Sequence, residues 1–167
     1  MDFAERPALV FWETTRACAL SCIHCRASAI NKPLPGELTR EESFRLIDQV
    51  SSFERPFPTI IFTGGDPLRR GDLFDLLTYT ARREMRFAVS PAATELLSRG
   101  VLVKIKQLGA SSVSISLDGA SARTHDWIRR REGTYERTVR AVRDAVEIGL
   151  DVQVNTVVMK RNYRELA

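Results

Sequence analysis

The chain is poor in the residues that carry most metal and redox chemistry: among 167 residues there are three cysteines and two histidines. So few cysteines, odd in number and tightly spaced, exclude a disulfide framework. No apolar run approaches the ~20 residues that a bilayer span needs, so no membrane segment is expected. The opening Met1-Asp-Phe-Ala-Glu-Arg6 lacks a signal-peptide pattern. A cytoplasmic, reducing location is the expectation, and it suits free thiolates. Charge is also sparse in one respect. The net value is +4, and the arginines are scattered rather than gathered in a stripe with interleaved aromatics, which argues against nucleic acid.

What is present is concentrated. All three cysteines lie in Cys18-Ala-Leu-Ser-Cys22-Ile-His-Cys25, a C-x3-C-x2-C triplet. Three thiolates are one short of a closed all-cysteine iron–sulfur or zinc site. If they hold a [4Fe–4S] cluster, one iron has no cysteine ligand from this chain and can bind a substrate or cofactor. A zinc site that adds His24 to the cysteines is the competing reading. It is strained by His24 standing next to Cys25, and no second ligand pair follows.

With 44% hydrophobic and 28% charged residues, the chain can bury a core of about one domain. Five strands are expected, at 9–14, 59–63, 86–90, 112–117 and 151–158, from short bulky or alternating runs. Between them lie helical stretches. One follows the capping box Thr39-x2-Glu42, with Phe44, Leu46, Ile47 and Val50 as its stripe. A second is capped by Asp72 and carries Leu73, Leu76, Leu77 and Ala81. A third runs from Thr94 to Leu108, interrupted at Gly100. A fourth runs from Thr134 to Ile148 on an apolar stripe of Tyr135, Val139, Val142 and Val146. Residues 161–167 read as the opening of another helix. Alternating strands and helices predict an α/β fold with a parallel sheet. The unusual residues cluster after strand ends, where such folds place their sites.

These motifs together resemble the radical S-adenosylmethionine (SAM) superfamily. The match runs over Cys18-x3-Cys22-x2-Cys25, Gly64-Gly65-Asp66-Pro67, Ser116-Leu117-Asp118-Gly119, His125-Asp126-x2-Arg129 and Asn155. The pattern is similar to the subgroup that usually carries a C-terminal SPASM extension. Trp12-Glu-Thr-Thr-Arg-Ala-Cys18 and His24-Cys25-Arg26-Ala-Ser-Ala29 resemble its haem-maturing branch. The resemblance implies a partial (β/α) barrel, with five of six βα units in this chain. Residues 1–167 are then one radical SAM core domain, incomplete at its C-terminus and without the SPASM cysteines.

The resemblance also implies chemistry. Cys18, Cys22 and Cys25 hold a [4Fe–4S] cluster, whose open iron takes the amino and carboxylate groups of SAM. An external reductant of the flavodoxin or ferredoxin type supplies an electron. The sulfonium is then cleaved to a 5′-deoxyadenosyl radical, which abstracts hydrogen from a peptide or small-molecule substrate. Quinone cofactors and tetrapyrroles are the other substrate classes of the subgroup. Gly64 and Gly65, with Asp66 and Pro67, form the methionine-amine site, where a Cβ would obstruct the ligand. Ser116 and Asp118 lie near the ribose, His24 and Asn155 near the adenine, and Arg129 binds the carboxylate as a guanidinium fork.

Plainer readings of the same residues stay open at this stage. Asp118-Gly119 can be a turn, His24 a loop residue and Asn155 a strand residue satisfied by backbone. Arg130 and Arg131 can form a solvated face, and the SAM-binding arginine is open by one position within that run. His125 is expected to hold the loop after the fourth strand. A cluster-binding electron carrier without turnover and a zinc-stabilised binding domain are the rival functions.

Overall fold

The computed structural model describes residues 5–165. Five strands, β1 (Leu9–Glu13), β2 (Thr59–Thr63), β3 (Phe87–Val89), β4 (Ser112–Ser116) and β5 (Val152–Asn155), form one sheet in the order β1-β2-β3-β4-β5. Every neighbouring pair is parallel. Each strand therefore pairs with the next in sequence, and the crossovers never reverse direction. Right-handed crossovers that step one way place their helices on one face only. This is the winding of a (β/α) barrel and not of a doubly wound sheet.

The helices are α1 (Arg40–Ser51), α2 (Leu73–Arg82), α3 (Arg99–Gln107), α4 (Ala122–Arg129) and α5 (Thr134–Glu147). α1 starts at the expected capping box, with Thr39 Oγ1 accepting the Glu42 N–H and Glu42 accepting the Thr39 N–H. The core lies between sheet and helices. Ile60, Phe62, Phe87, Val89, Val113 and Ile115 project from the strands into it, against Ile47, Leu73, Leu76, Leu77, Leu102 and Ile105 from the helices.

Several expectations need correction. Asp72 stands at the start of α2 but makes no side-chain cap. Its carboxylate pairs instead with the Arg70 guanidinium at 2.6 Å, since a charged partner outbids a neutral N–H. α3 begins at Arg99, capped by Ser98, and residues 94–97 turn rather than wind. β5 ends at Asn155, three residues short of the expected end. Beyond it the chain is recruited to the loop after β4, where Val157 N–H bonds Asp118 Oδ1. Only a 3-10 turn, Tyr163–Glu165, stands where a helix was expected to open, and residues 166–167 of that expectation lie outside the described chain.

α5 buries a different face from the expected one. Thr134, Thr138, Ala141 and Ala145 are inside, and Val146 is 63% exposed. These small residues keep the spacing of a helical stripe and bring the α5 backbone close to the sheet, a tolerance that a stripe of valines would not offer. α4 was not foreseen. Its cap is Ser121, and it buries Thr124, His125 and Ile128.

Candidate cofactor site

The site is built where the loops after β1, β2 and β4 meet, at the carboxyl ends of the strands. The loop after β1 is pinned first. Ala17 forms an isolated parallel bridge with Ile30, with Cys18 N–H bonded to Ile30 O at 2.7 Å. Glu37 folds over the same loop and accepts from Arg16 N–H, Leu34 N–H and Thr15 Oγ1. These bonds hold its carboxyl below the ordinary range against the opposing effect of burial. Arg70, almost buried, donates to Thr14 O, Leu38 O and Ser43 Oγ. Sequence reasoning passed over both residues. Nothing in the local pattern marks a brace most of whose partners lie 21 to 56 positions away.

The loop after β2 docks onto this braced loop through its backbone. Gly65 N–H bonds Thr15 O at 2.7 Å, and Asp66 N–H bonds Ala17 O at 2.8 Å. A Cβ on Gly64 would lie 2.3 Å from Thr15 O, and one on Gly65 would lie 2.5 Å from Ala17 O. Gly64 also has φ +136°, which side-chain-bearing residues rarely adopt. The glycines are thus required by the approach of two protein backbones, before any ligand enters. Among the described residues, no hydrogen bond reaches the carbonyl oxygens of Gly64 or Gly65, and both glycines line the cavity described below.

Asp66 and Pro67 lie behind that wall. Asp66 is fully buried and accepts from Leu68 N–H, Thr94 Oγ1 and Ala92 N–H. Burial pushes its carboxyl up, opposed by those bonds. Pro67 is buried at the start of a 3-10 turn.

A cavity of about 350 Å³ opens between the loops. Cys18, Cys22, Cys25, His24, Gly64, Gly65, Ser116 and Arg129 all line it. Each cysteine sulfur accepts one hydrogen bond, from Leu20 N–H to Cys18 (3.3 Å), from Ala29 N–H to Cys25 (3.3 Å) and from the Arg129 guanidinium to Cys22 (3.6 Å). Donors aimed at sulfur favour the thiolate and set the potential of a bound cluster. Burial pushes the Cys18 thiol up, with the Leu20 N–H opposing it. Among the described residues, no three His, Cys, Asp or Glu side chains are gathered as one metal ion would need. A polynuclear cluster would offer a separate iron to each of three thiols that share one cavity.

The loop after β4 supplies the rest. Asp118 is fully buried beside the cavity. Its Oδ2 lies 2.6 Å from Arg129 Nη2, an ion-pair distance at too oblique an angle for a hydrogen bond. His24 Nε2 is 3.6 Å from the same oxygen. Behind Asp118, His125 Nδ1 accepts its N–H at 3.0 Å and Asn162 donates to its carbonyl at 2.8 Å. Burial and the neighbouring Arg129 drive His125 down to about 4, so it is a neutral acceptor holding the loop. Burial also lowers His24, against the pull of Asp118.

Of the three consecutive arginines only Arg129 lines the cavity. Arg130 turns out in a left-handed cap, and Arg131 pairs with Glu95 at 2.8 Å. His24 Nδ1 and Arg129 Nε are buried without a partner, polar atoms that a bound ligand can satisfy. Asn155 is not brought to this cavity. It faces a second one, of about 600 Å³, on the concave side of the sheet, and accepts from Gln153 Nε2 at 2.8 Å. Arg26, Thr63 and Ser90 line both cavities and join them.

Comparison with known proteins agrees with this architecture. The SuiB enzyme of Streptococcus suis, solved bound to S-adenosylmethionine, superposes with a TM-score of 0.81 over 97% of this chain and 36% of that one, at 15% identity, a likeness of fold. An AdoMet-dependent heme synthase of Oleidesulfovibrio alaskensis is 40% identical over 154 residues, 92% of this chain. The mycofactocin maturase MftC of Mycobacterium tuberculosis is 30% identical over 97% of it. The chain spans 39% and 40% of the lengths of those two relatives. The family model of the radical SAM superfamily matches residues 12–167. With that match over nearly its whole length, the chain belongs to the radical SAM superfamily, a family of enzymes whose cofactors are a [4Fe–4S] cluster and SAM.

Proposed function

We propose that this chain carries the SAM-cleaving site of an enzyme of tetrapyrrole maturation. The observation that carries the first half is a single cavity lined both by three cysteines, each sulfur with its own hydrogen-bond donor, and by two glycines whose carbonyls have no donor among the described residues. The residues fit the cofactors. Cys18, Cys22 and Cys25 would hold three irons and leave the fourth to SAM. The carbonyls of Gly64 and Gly65 would accept the methionine amine, and Ser116 and His24 would meet the nucleoside. Arg129, with Nε free, would meet the carboxylate while Asp118 keeps its charge in place. When bound, the cluster and SAM supply a one-electron cleavage of the sulfonium and so a hydrogen-abstracting radical. The protein's part is to orient the ligand and exclude water.

The tetrapyrrole half rests on the 40% identity to a heme synthase and on the second cavity. Leu9, Phe11 and Ile61 give that cavity one apolar side, and Ser112, Ser114 and Gln153 give it a hydroxyl and amide side. Arg86 stands at the N-terminal end of β3 and Arg26 at the junction with the cofactor cavity. An apolar wall between two guanidinium groups suits a flat conjugated ring bearing carboxylates.

Anaerobic reconstitution tests the reading. Wild-type protein should bind about four irons per chain, as the cluster type requires, and Cys22→Ala should bind almost none. SAM should alter the electron paramagnetic resonance spectrum of the reduced cluster. An iron porphyrin with propionate groups should raise 5′-deoxyadenosine formation. A colourless protein holding one zinc would overturn the cluster, and an unchanged spectrum with SAM would leave only a carrier.

A further inference from the structure

The concave side of the sheet carries one ion pair that the cofactor site does not use. Leu9, Phe11 and Glu13 alternate along β1 and share its concave face. The first two line the larger cavity, and Glu13, at the end of the strand, lines the cofactor cavity. Among the described residues that line the two cavities, Glu13 is the only carboxylate. Its Oε1 accepts from Arg26 Nη2 at 3.1 Å. Arg26 borders both cavities, so the pair stands where they join.

The pair is loosely made. It is the one side-chain hydrogen bond of Arg26 among the described residues, and it leaves the rest of the guanidinium fork without a protein acceptor. The side chains are 81% and 40% exposed. The other arginines of the site are held differently. Arg70 and Arg129 are 8% and 13% exposed and pair at 2.6 Å with Asp72 and Asp118. A single exposed contact contributes little. A carboxylate that takes both prongs of a guanidinium binds it more strongly, and so displaces Glu13.

We propose that Glu13 and a carboxylate of the substrate compete for Arg26, and that this exchange selects acids at the junction of the two cavities. The proposal rests on the reading above for where the substrate lies. No covalent bond is made or broken, and the guanidinium only changes its acceptor. Selection works from both sides. A neutral ligand offers Arg26 too little to displace a charged acceptor, so the pair stays closed against it. An acid that fails to engage Arg26 meets the like charge of Glu13. At the opposite end of the strands Arg86 lines the same larger cavity and receives a second carboxylate.

The test is calorimetry on the reconstituted chain with three probes. Metal-free coproporphyrin is a tetrapyrrole acid, naphthalene dicarboxylate is a flat acid without a tetrapyrrole, and naphthalene dicarboxamide is its neutral counterpart. Glu13→Gln should tighten both acids about 2- to 5-fold, the worth of one exposed ion pair. Arg26→Gln should weaken them about 10-fold, as loss of charge-assisted bonds does. With Arg26 already replaced by Gln, Glu13→Gln should lose most of its effect, because Glu13 acts through Arg26. The diamide should bind the wild type and Glu13→Gln equally. A gain in affinity cannot come from lost structure, so unfolding does not imitate the result. Unchanged or weaker binding of both acids to Glu13→Gln would overturn the proposal. So would an equal gain for the diamide, which would make Glu13 a mere space filler, or no binding of either acid to any of these proteins. If the naphthalene acid shows the pattern and coproporphyrin does not bind, the exchange stands and the tetrapyrrole reading has failed.

Discussion

The two faces of the sheet are built on opposite rules. Toward the helices, successive strands present Ile60, Phe62, Phe87, Val89, Val113 and Ile115, all at or near zero exposure. Toward the concave side they present Thr59, Ile61, Thr63, Ala88, Ser90, Ser112, Ser114 and Ser116, with the large Leu9 and Phe11 only on the edge strand β1, and a cavity remains there. A barrel interior filled for stability carries bulky branched side chains. Small hydroxyl residues leave room instead. The outer face makes the fold, and the concave face gives up that contribution to keep space beneath the cofactor site.

The largest expected effect lies on the filled face. Phe62→Ala should cost about 3–5 kcal/mol by loss of burial and a residual cavity, read as a lower denaturation midpoint. A loss under ~1 kcal/mol would break the contrast. Next comes the support of the rim. His125 is lowered to about 4 in the fold from about 6.5 when unfolded. The unfolded chain therefore takes up a proton first. The stabilisation is complete above about pH 6.5 and is lost as pH falls toward 4. It amounts to about 3 kcal/mol in all. Melting followed from pH 7 to pH 5 should show this slope in the wild type and a flatter one in His125→Asn, whose amide oxygen can still accept the Asp118 N–H without titrating.

A smaller effect is expected at the meeting of the two loops. Gly65→Ala should cost about 1–3 kcal/mol, in the range of overpacking, because its Cβ meets the carbonyls of Arg16 and Ala17. It should also reduce iron retention, since those carbonyls belong to the cysteine loop. Full iron content with only SAM binding impaired would restore the ligand as the reason for the glycine. The smallest effect belongs to the open face. Ser114→Ala should stay within ~0.5 kcal/mol, as for sites away from packed features, because no neighbour there depends on its hydroxyl.

Much of this was legible in the sequence, and what was not legible shares a cause. The cysteine triplet, the glycine pair, the capping box of α1 and the βα alternation are local patterns, and each stands where it was expected. The reasons for several residues were not local. Gly65 is a glycine because Arg16 and Ala17 pass beside it. Asp66 and Asp118 are carboxylates because buried loops need acceptors. The inward face of α5 was misread because long apolar residues outweigh threonine and alanine in any hydropathy pattern, although close packing prefers the small ones.

The sequence alone determined the family, the strand order along the chain and the grouping of the three cysteines, because spacing within a short loop survives without knowledge of the fold. Tertiary structure alone decided which arginine faces the cavity, that Asn155 does not, and what braces the cysteine loop. Those are distances between segments up to 112 residues apart. Such distances are set by how the sheet curves and how closely the helices settle on it, and no single stretch of sequence encodes them.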